Sequence, residues 1–195
     1  CRGSRRKCEE YQNYVARRST RGRRLDRGRG DRVSVRIGQG IDAHQLVTDR
    51  RLVLGGIEVE FDRGLEGHSD GDVLLHAICD AILGALGEGD LGRHFPSSDE
   101  ALRGIDSAVL LERVAGLMRD RGFGIGNLDA TLIAQAPRLS PVQEKMRANI
   151  ASLLGAPPEK VNLKVTSTDH LGAIGRGEGM AAIAVVLLEN DTRAK

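Results

Sequence analysis

Tryptophan is absent from this chain, and among its 195 residues only three Phe and two Tyr carry aromatic rings. A core must therefore be assembled from Leu, Ile, Val and Ala; with 40% apolar residues the chain can bury one, as a single domain. Cysteine is equally scarce. Cys1, Cys8 and Cys79 are odd in number, with two of them in a peculiar leader, so no disulfide framework is implied and a reducing cytoplasm is the simplest compartment. Nothing approaches the roughly 18 consecutive apolar residues of a membrane span, so a soluble protein without a membrane partner is expected.

Net charge is small as well, +2, but it conceals an asymmetry. Residues 1–32 hold twelve Lys/Arg against four Asp/Glu, a surplus of eight positive charges, whereas the rest holds 17 against 23, a deficit of six. The first segment is rich in Arg, Gly and Ser, lacks a sustained apolar period and begins without Met. It cannot bury enough surface to offset its ordering entropy, so a disordered basic leader over 1–32 and a folded domain over 33–195 are expected. A nucleic-acid-binding arm is the sharper alternative, but four acids and the lack of aromatics interleaved with the Arg-Gly runs count against it, and no nucleic-acid partner is expected. A transit peptide would be poorer in acids. A linker, a cloning remnant or a mis-assigned start remains.

What is present centres on Gly67 to Leu86, Gly-His-Ser-Asp-Gly-Asp followed by an apolar helix containing a histidine. Ser69 is placed to cap that helix by accepting from the Asp72 amide, with Asp70 and Asp72 at its positive end. Leu74, Leu75, Ile78, Ile82 and Leu86 share one broad face; Asp72, His76 and Asp80 stack at i, i+4, i+8 on another. Taken alone, that second stripe reads as a polar edge facing water. Earlier in the chain, however, Asp42 and His44 end an apolar strand and, two apart, point the same way. Two imidazoles and one carboxylate are the three-ligand set of a catalytic zinc site with a fourth position open. Cys79 lies in the same helix but is rotated off the His76 stripe, and it reads as a small buried hydrophobe.

Along the rest of the chain, Val33, Val35 and Ile37 alternate with Ser34 and Arg36 as a first strand. Arg51–Leu54 and Ile57–Glu60 flank Gly55-Gly56 as a hairpin. Gly87 to Asp99 reads as a loop. A helix from Asp106 or Ser107 to Gly122 buries Leu110, Val114, Leu117 and Met118. Asn127 to Ala134 is a strand, and Ser140-Pro141-Val142-Gln143 is a capping box opening a helix that buries Val142, Met146, Ile150 and Leu153. Val161 to Thr166 forms a strand, and Met180 to Leu188, continuously apolar, is central or covered on both faces. The order predicts an α/β fold, an α+β sandwich with helices on one face of a mixed sheet. Between the last two strands, Thr166 to Gly172 and Gly175-Arg176-Gly177-Glu178-Gly179 offer hydroxyls, amides and an arginine suited to phosphate, although a glycine-rich turn explains the glycines equally well.

Taken together, these segments closely resemble the 2-C-methyl-D-erythritol 2,4-cyclodiphosphate synthase family. The resemblance rests on Arg36 to His44, on His68-Ser69-Asp70-Gly71-Asp72 with His76 beyond it, on Asp90-Leu91-Gly92 with Phe95-Pro96, on Ala134-Gln135-Ala136-Pro137, and on Gly175 to Gly179, in the family's order from about Val35 to Leu188. It implies a homotrimer with active sites between subunits. The implied substrate is a cytidine diphosphate ester of methylerythritol whose second phosphate closes a cyclic diphosphate and expels CMP.

By the same likeness Asp42, His44 and His76 bind Zn2+, with Ala43 beside the substrate. His68 and Ser69 hold the attacking phosphate, helped by the amides of the helix entrance. Asp90, Leu91 and Gly92, with Phe95, Pro96, Ser97, Ser98 and Asp99, grip the methylerythritol hydroxyls. Ala134, Gln135, Ala136, Pro137, Arg138, Leu139 and Ser140 form the cytidine loop. Thr166, Ser167, Thr168 and Asp169 form the diphosphate site, where Ser167 steadies the transition state and Asp169 helps hold Mg2+ or Mn2+; Ala173 and Arg176 complete it. The chain departs from the commonest pattern at Arg138 (usually Lys), Asp169 (usually Glu), His170 (usually Lys) and Ala173-Ile174 (usually Phe-Thr). A zinc phosphodiesterase, with water attacking, and a non-catalytic metal- and nucleotide-binding homologue are the alternatives. Some relatives are fused behind a cytidylyltransferase domain, for which residues 1–32 hold no core.

Overall fold

Two glycines decide how the first strand meets the organising helix. In the computed structural model, which describes residues 34–190, strand β1 (Val35–Val47) crosses helix α1 (Val73–Leu86) so closely that a Cβ on Gly38 would lie 1.9 Å from the Ala81 carbonyl oxygen and one on Gly40 2.0 Å from that of Ala77. Small residues on both sides let the two backbones touch. Because side chains alternate along a strand, Asp42 and His44 share the helix-facing side with those glycines and run on toward the helix start, where His76 lies.

Helix α1 is apolar all round and correspondingly enclosed: only Asp80 and Gly84 escape full burial. Each buried Leu or Ile contributes roughly 1.5–3 kcal/mol. Its N-cap is Asp72 rather than the expected Ser69; the Asp72 carboxylate accepts from the Leu74 and Leu75 amides, and Gly87 ends the helix at φ 73°. The acid-histidine-acid stripe is therefore not a water-facing edge: Asp72 and His76 are buried and only Asp80 is partly exposed.

The remaining strands and α-helices are the hairpin β2 (Leu52–Leu54) and β3 (Ile57–Val59), a short strand β4 (Gly64–Leu65), a one-turn helix α2 (Leu91–His94), α3 (Ser107–Asp120), β5 (Phe123–Ile133), α4 (Gln143–Leu154), β6 (Val161–Thr166), a one-turn helix α5 (Gly172–Gly175) and β7 (Gly179–Asn190). The main sheet runs β4-β1-β7-β5-β6, parallel between β5 and β6 and antiparallel elsewhere, with α1, α3 and α4 on one face. Gly55 and Gly56 take the left-handed turn of the hairpin.

Several local readings change. No capping box opens α4: Val142 is its cap without a side-chain bond, and the Gln143 side-chain amide donates to the Leu163 carbonyl at 2.7 Å instead. Leu154 rather than Leu153 is buried there, and Leu117 of α3 is only half-buried. The alternation of β1 holds, but its sense is reversed, since the glycines face the core while Val35, Ile37 and Ile41 are 56%, 69% and 60% exposed. Strand β7 is central as expected, yet covered on one face; Val185 on the other is 42% exposed. The expected leader over 1–32 and Val33 lie outside the described residues.

Candidate active site

Strand β1 and helix α1 bring together three side chains that are far apart along the chain. His44 Nε2 lies 2.8 Å and His76 Nδ1 3.0 Å from the same Asp42 oxygen, Oδ2, and the two nitrogens are 3.1 Å apart. Among the described residues this is the one group of three or more His, Cys, Asp or Glu side chains able to share a metal ion. Ligand atoms about 2.0–2.1 Å from a tetrahedral zinc stand roughly 3.3 Å from one another, so the triangle needs to open by only a few tenths of an ångström. The residues fit the ion the sequence implies.

The electrostatics agree. Burial acts to raise the Asp42 pKa, but hydrogen bonds from His44 and His76 outweigh it and hold the carboxyl well below its usual range. His44 is raised above the ordinary imidazole value, chiefly by its bond to Asp42, against partial burial and aided by a hydrogen bond to the Glu66 backbone. That last contact also orients the ring, the familiar role of an outer partner in metal sites.

His76 is held on its other side. Its Nε2 lies 3.0 Å from Ser69 Oγ and 2.9 Å from Ser107 Oγ, and Ser107 Oγ is 2.5 Å from Asp70 Oδ1. Neither Asp70 nor Ser107 is singled out as a site residue by the sequence; Asp70 reads there as helix-start charge and Ser107 as the start of α3. Asp80 is likewise unassigned, yet its carboxylate accepts from the Leu91 amide at 2.6 Å, tying α1 to the segment expected to grip the sugar.

Several amides at the entrance to α1 are engaged within the protein. Asp70 N donates to the Ile105 carbonyl, Gly71 N to Ser69 Oγ, Asp72 N to Asp70, and Leu74 N and Leu75 N to Asp72. Arg50 clamps the loop by donating to the Gly67 and Ser69 carbonyls at 2.8 and 2.6 Å. What faces the triad is instead a cavity of about 160 Å³ lined by His44, His68, Ser69 and His76, and by Leu91, Phe95, Ser97, Leu102, Ile105 and Leu110. Of the expected sugar-gripping residues, Leu91, Phe95 and Ser97 reach it. Asp90 and Asp99 spend carboxylate oxygens on the Arg93 and Ala101 amides.

The cytidine and diphosphate segments gather elsewhere. Ala134 N donates to the Thr166 carbonyl, and His170 N to Gln135 Oε1 at 3.1 Å, so loops 134–140 and 166–176 meet beyond the ends of parallel strands β5 and β6. Ser167 Oγ donates to Asp169 at 3.1 Å, Asp169 and His170 are both left-handed, and Arg176 pairs with Glu178. None of these residues lines the triad's cavity. Ala43 pairs with Ala181, Ala181 with Ile133 and Ile133 with Thr166, so the two groups share one end of the sheet but stand three strand spacings, about 14 Å, apart.

Comparison with known proteins meets this geometry. The YgbB family model matches residues 35–189. The 2-C-methyl-D-erythritol 2,4-cyclodiphosphate synthases of Thiobacillus denitrificans and Geotalea uraniireducens are each 57% identical over 155 residues, 80% of this chain and 97% and 99% of theirs. Among solved structures, the bifunctional IspDF from Campylobacter jejuni is 39% identical with a TM-score of 0.79; the match covers 82% of this chain and 43% of that longer one. The IspF of Plasmodium falciparum, in a CDP complex, is 33% identical with a TM-score of 0.72, covering 82% and 98%. A converged Asp/His/His triad on a helix-backed sheet, in a chain alike along nearly the full length of such relatives, makes this protein a member of the YgbB family of 2-C-methyl-D-erythritol 2,4-cyclodiphosphate synthases.

Proposed function

We propose that this chain converts 4-diphosphocytidyl-2-C-methyl-D-erythritol 2-phosphate to 2-C-methyl-D-erythritol 2,4-cyclodiphosphate and CMP, a step in non-mevalonate isoprenoid precursor synthesis. The observation that carries the reading is the meeting of Asp42, His44 and His76 at one end of a cavity that His68 and the 91–97 segment also line. An oxygen of the 2-phosphate bonds to the phosphorus next to the sugar alcohol while the bond from that phosphorus to the CMP phosphate breaks. No water is consumed and no protein nucleophile is needed.

The chain's task is to fold the substrate back on itself and balance its charge. Holding both phosphates in one site removes the entropy cost of a bimolecular encounter. Asp42, His44 and His76 would hold Zn2+, which when bound acts as a Lewis acid on a phosphate oxygen. His68 and Ser69, which line the cavity side by side, would hold the attacking phosphate, with His68 donating to it. Leu91, Phe95 and Ser97 enclose the sugar. Among the described residues Asp169 belongs to no group of three or more potential ligands, so Mg2+ or Mn2+ there would draw ligands from the diphosphate and water as well. Ser167 would steady charge on the leaving CMP, Arg176 would reach phosphate on release from Glu178, and 134–140 would receive cytidine.

The separation between the two groups argues that a site is completed by a neighbouring subunit, in a homotrimer. The exposed apolar row of Val35, Ile37, Ile41 and Val185 supplies a surface for it. No described helix is long and apolar enough to cross a membrane, and a cytoplasmic location is part of the reading.

Phosphorus NMR of the diphosphate ester incubated with protein, Zn2+ and Mg2+ tests the proposal. The cyclic diphosphate is expected; an acyclic bisphosphate would mark a phosphodiesterase, and CDP binding without turnover a non-catalytic homologue.

A further inference from the structure

We infer that Arg50 is a positioning residue for His68: its guanidinium bridges the carbonyls on either side of that histidine and so sets the direction in which the imidazole enters the cavity. The inference rests on the reading of His68 as a donor to the attacking phosphate. Between β4 and α1 the chain runs through residues 66–72 with no strand or helix to hold it, and Gly67, which has no Cβ to restrict it, directly precedes His68. Order there has to come from bonds made by other segments. Arg50 Nη1 donates to the Gly67 carbonyl at 2.8 Å and Nη2 to the Ser69 carbonyl at 2.6 Å, while the His68 carbonyl between them accepts from the Gly104 amide at 2.8 Å. The Gly67 and His68 carbonyls belong to the two planar peptide groups that flank the His68 Cα. Holding both leaves its φ and ψ no freedom, and its side chain lines the cavity beside Ser69.

Arg50 is itself held in place. It ends the turn between β1 and β2, and that turn packs on β4 so tightly that a Cβ on Gly64 would lie 2.7 Å from the Arg50 carbonyl oxygen and 2.3 Å from that of Arg51. The next residue shows the contrast: Arg51 is exposed and pairs with Glu58, whereas Arg50 is half-buried and spends its fork on two neutral carbonyls. A planar guanidinium reaches two acceptors in one fixed relation, which an ammonium on a flexible stem does not reproduce.

Position matters at this point because the reaction depends on bringing one phosphate in line with another, and a misplacement of about 1 Å can cost roughly 100-fold in rate. The Arg50 charge is also felt at His44, where it opposes protonation. Alanine at position 50 would remove the fork and the charge together; lysine separates the two.

Cyclisation kinetics of the full chain with Zn2+ and Mg2+ test the inference in a cycle of Arg50→Lys, His68→Ala and the double variant. Arg50→Lys should lower kcat about 10–100-fold, with KM within about threefold and zinc affinity within about twofold of the parent, the pattern of an interaction made in the transition state. On the His68→Ala background the same substitution should cost nothing further, because the group it acts through is gone. Parent-level kcat in Arg50→Lys would show that charge alone suffices, and an undiminished Arg50→Lys loss on top of His68→Ala would show a merely structural role; either overturns the inference. Nitrogen NMR of the labelled parent should also show restricted rotation about the C–N bonds of the Arg50 guanidinium. Free rotation overturns the inference without any variant, and this measurement decides alone should Arg50→Lys not fold. A His68→Ala chain with the parent's kcat would instead defeat the reading of His68, and a parent that forms no cyclic diphosphate the proposed activity, each taking this inference with it.

Discussion

Asp42 is the residue whose chemistry the other two ligands are arranged around, because one of its oxygens faces both imidazole nitrogens. Its lowered pKa and the raised pKa of His44 describe a metal-free ion pair, and the pair has a defined pH window. The carboxylate contributes stability that is present above its unfolded value and is lost as pH falls through its lower folded one. The imidazolium contributes stability that is present below its unfolded value and is lost as pH rises through its higher folded one. Metal requires the neutral imidazole, and the raised His44 pKa makes zinc compete there with a proton. Calorimetric titration in two buffers of different ionisation heat should therefore show proton release, and apparent zinc affinity should rise with pH through the range just above the ordinary histidine value. A His76→Ala chain should lose zinc and cyclisation while keeping its oligomeric state, measured by metal analysis and light scattering. The candidate triad was legible in residue type, but Asp-x-His is too short a pattern to be a strong signal by itself, and the family resemblance is what singled the three residues out. The contact of Ser107 with His76 was not legible, since nothing local distinguishes a serine that begins a helix from one that also touches a histidine on another helix.

Among the elements, α1 is held at its start by a single carboxylate. Asp72 Oδ1 takes the Leu74 and Leu75 amides and Oδ2 takes Gly56 N at 2.6 Å, so one side chain both caps the helix and pins the β2–β3 turn to it. Complete burial pushes its pKa up to about 6 despite those backbone donors. A raised carboxyl contributes stability that is full below its unfolded value and is lost as pH rises through about 6, so the cap is maintained at neutral pH against a desolvation cost. Replacing Asp72 by Ala leaves three donors without their partner, and with about 1–3 kcal/mol for each buried group left unsatisfied the chain should unfold at a clearly lower urea concentration. Gly40→Ala should be as damaging, because its Cβ would meet α1 backbone and not a side chain that can turn away. The existence of each long element was readable from periodicity, whereas its orientation was not. A strand reading Val-Arg-Ile-Gly-Gln-Gly suggests that its apolar residues face the core, yet a helix packed at backbone contact on the glycines in the alternate register reverses that preference and leaves Ile37 and Ile41 outside. Similarly, the Ser-Pro-x-Gln pattern before α4 satisfies the form of a capping box, but Gln143 has a better partner in the Leu163 carbonyl, a long-range contact no local pattern reveals.

At the scale of the whole molecule, the single chain carries two separate groups of candidate site residues and a row of exposed apolar residues on one face of the sheet. The family-model match begins at residue 35, so removing residues 1–32 should leave cyclisation at its full rate, measured by CMP release. The sheet face leads to a stronger test. Val185 lies on the central strand and points away from the core, so Val185→Asp should leave the fold intact by circular dichroism but place a charge where subunits would meet; loss of both the oligomer and activity is expected. Burial within one chain explains neither effect, because in the isolated subunit that side chain is already exposed. Mixing then separates the arrangement of sites from mere assembly. His76→Ala removes a metal ligand and Ser167→Ala removes the hydroxyl of the diphosphate loop, and each alone should be inactive. If every site draws its triad from one subunit and its 166–169 loop from the next, co-refolded mixtures of the two variants contain some sites with both parts intact, and activity returns. If one subunit held a whole site, every site in the mixture would carry one of the two lesions, and none would turn over.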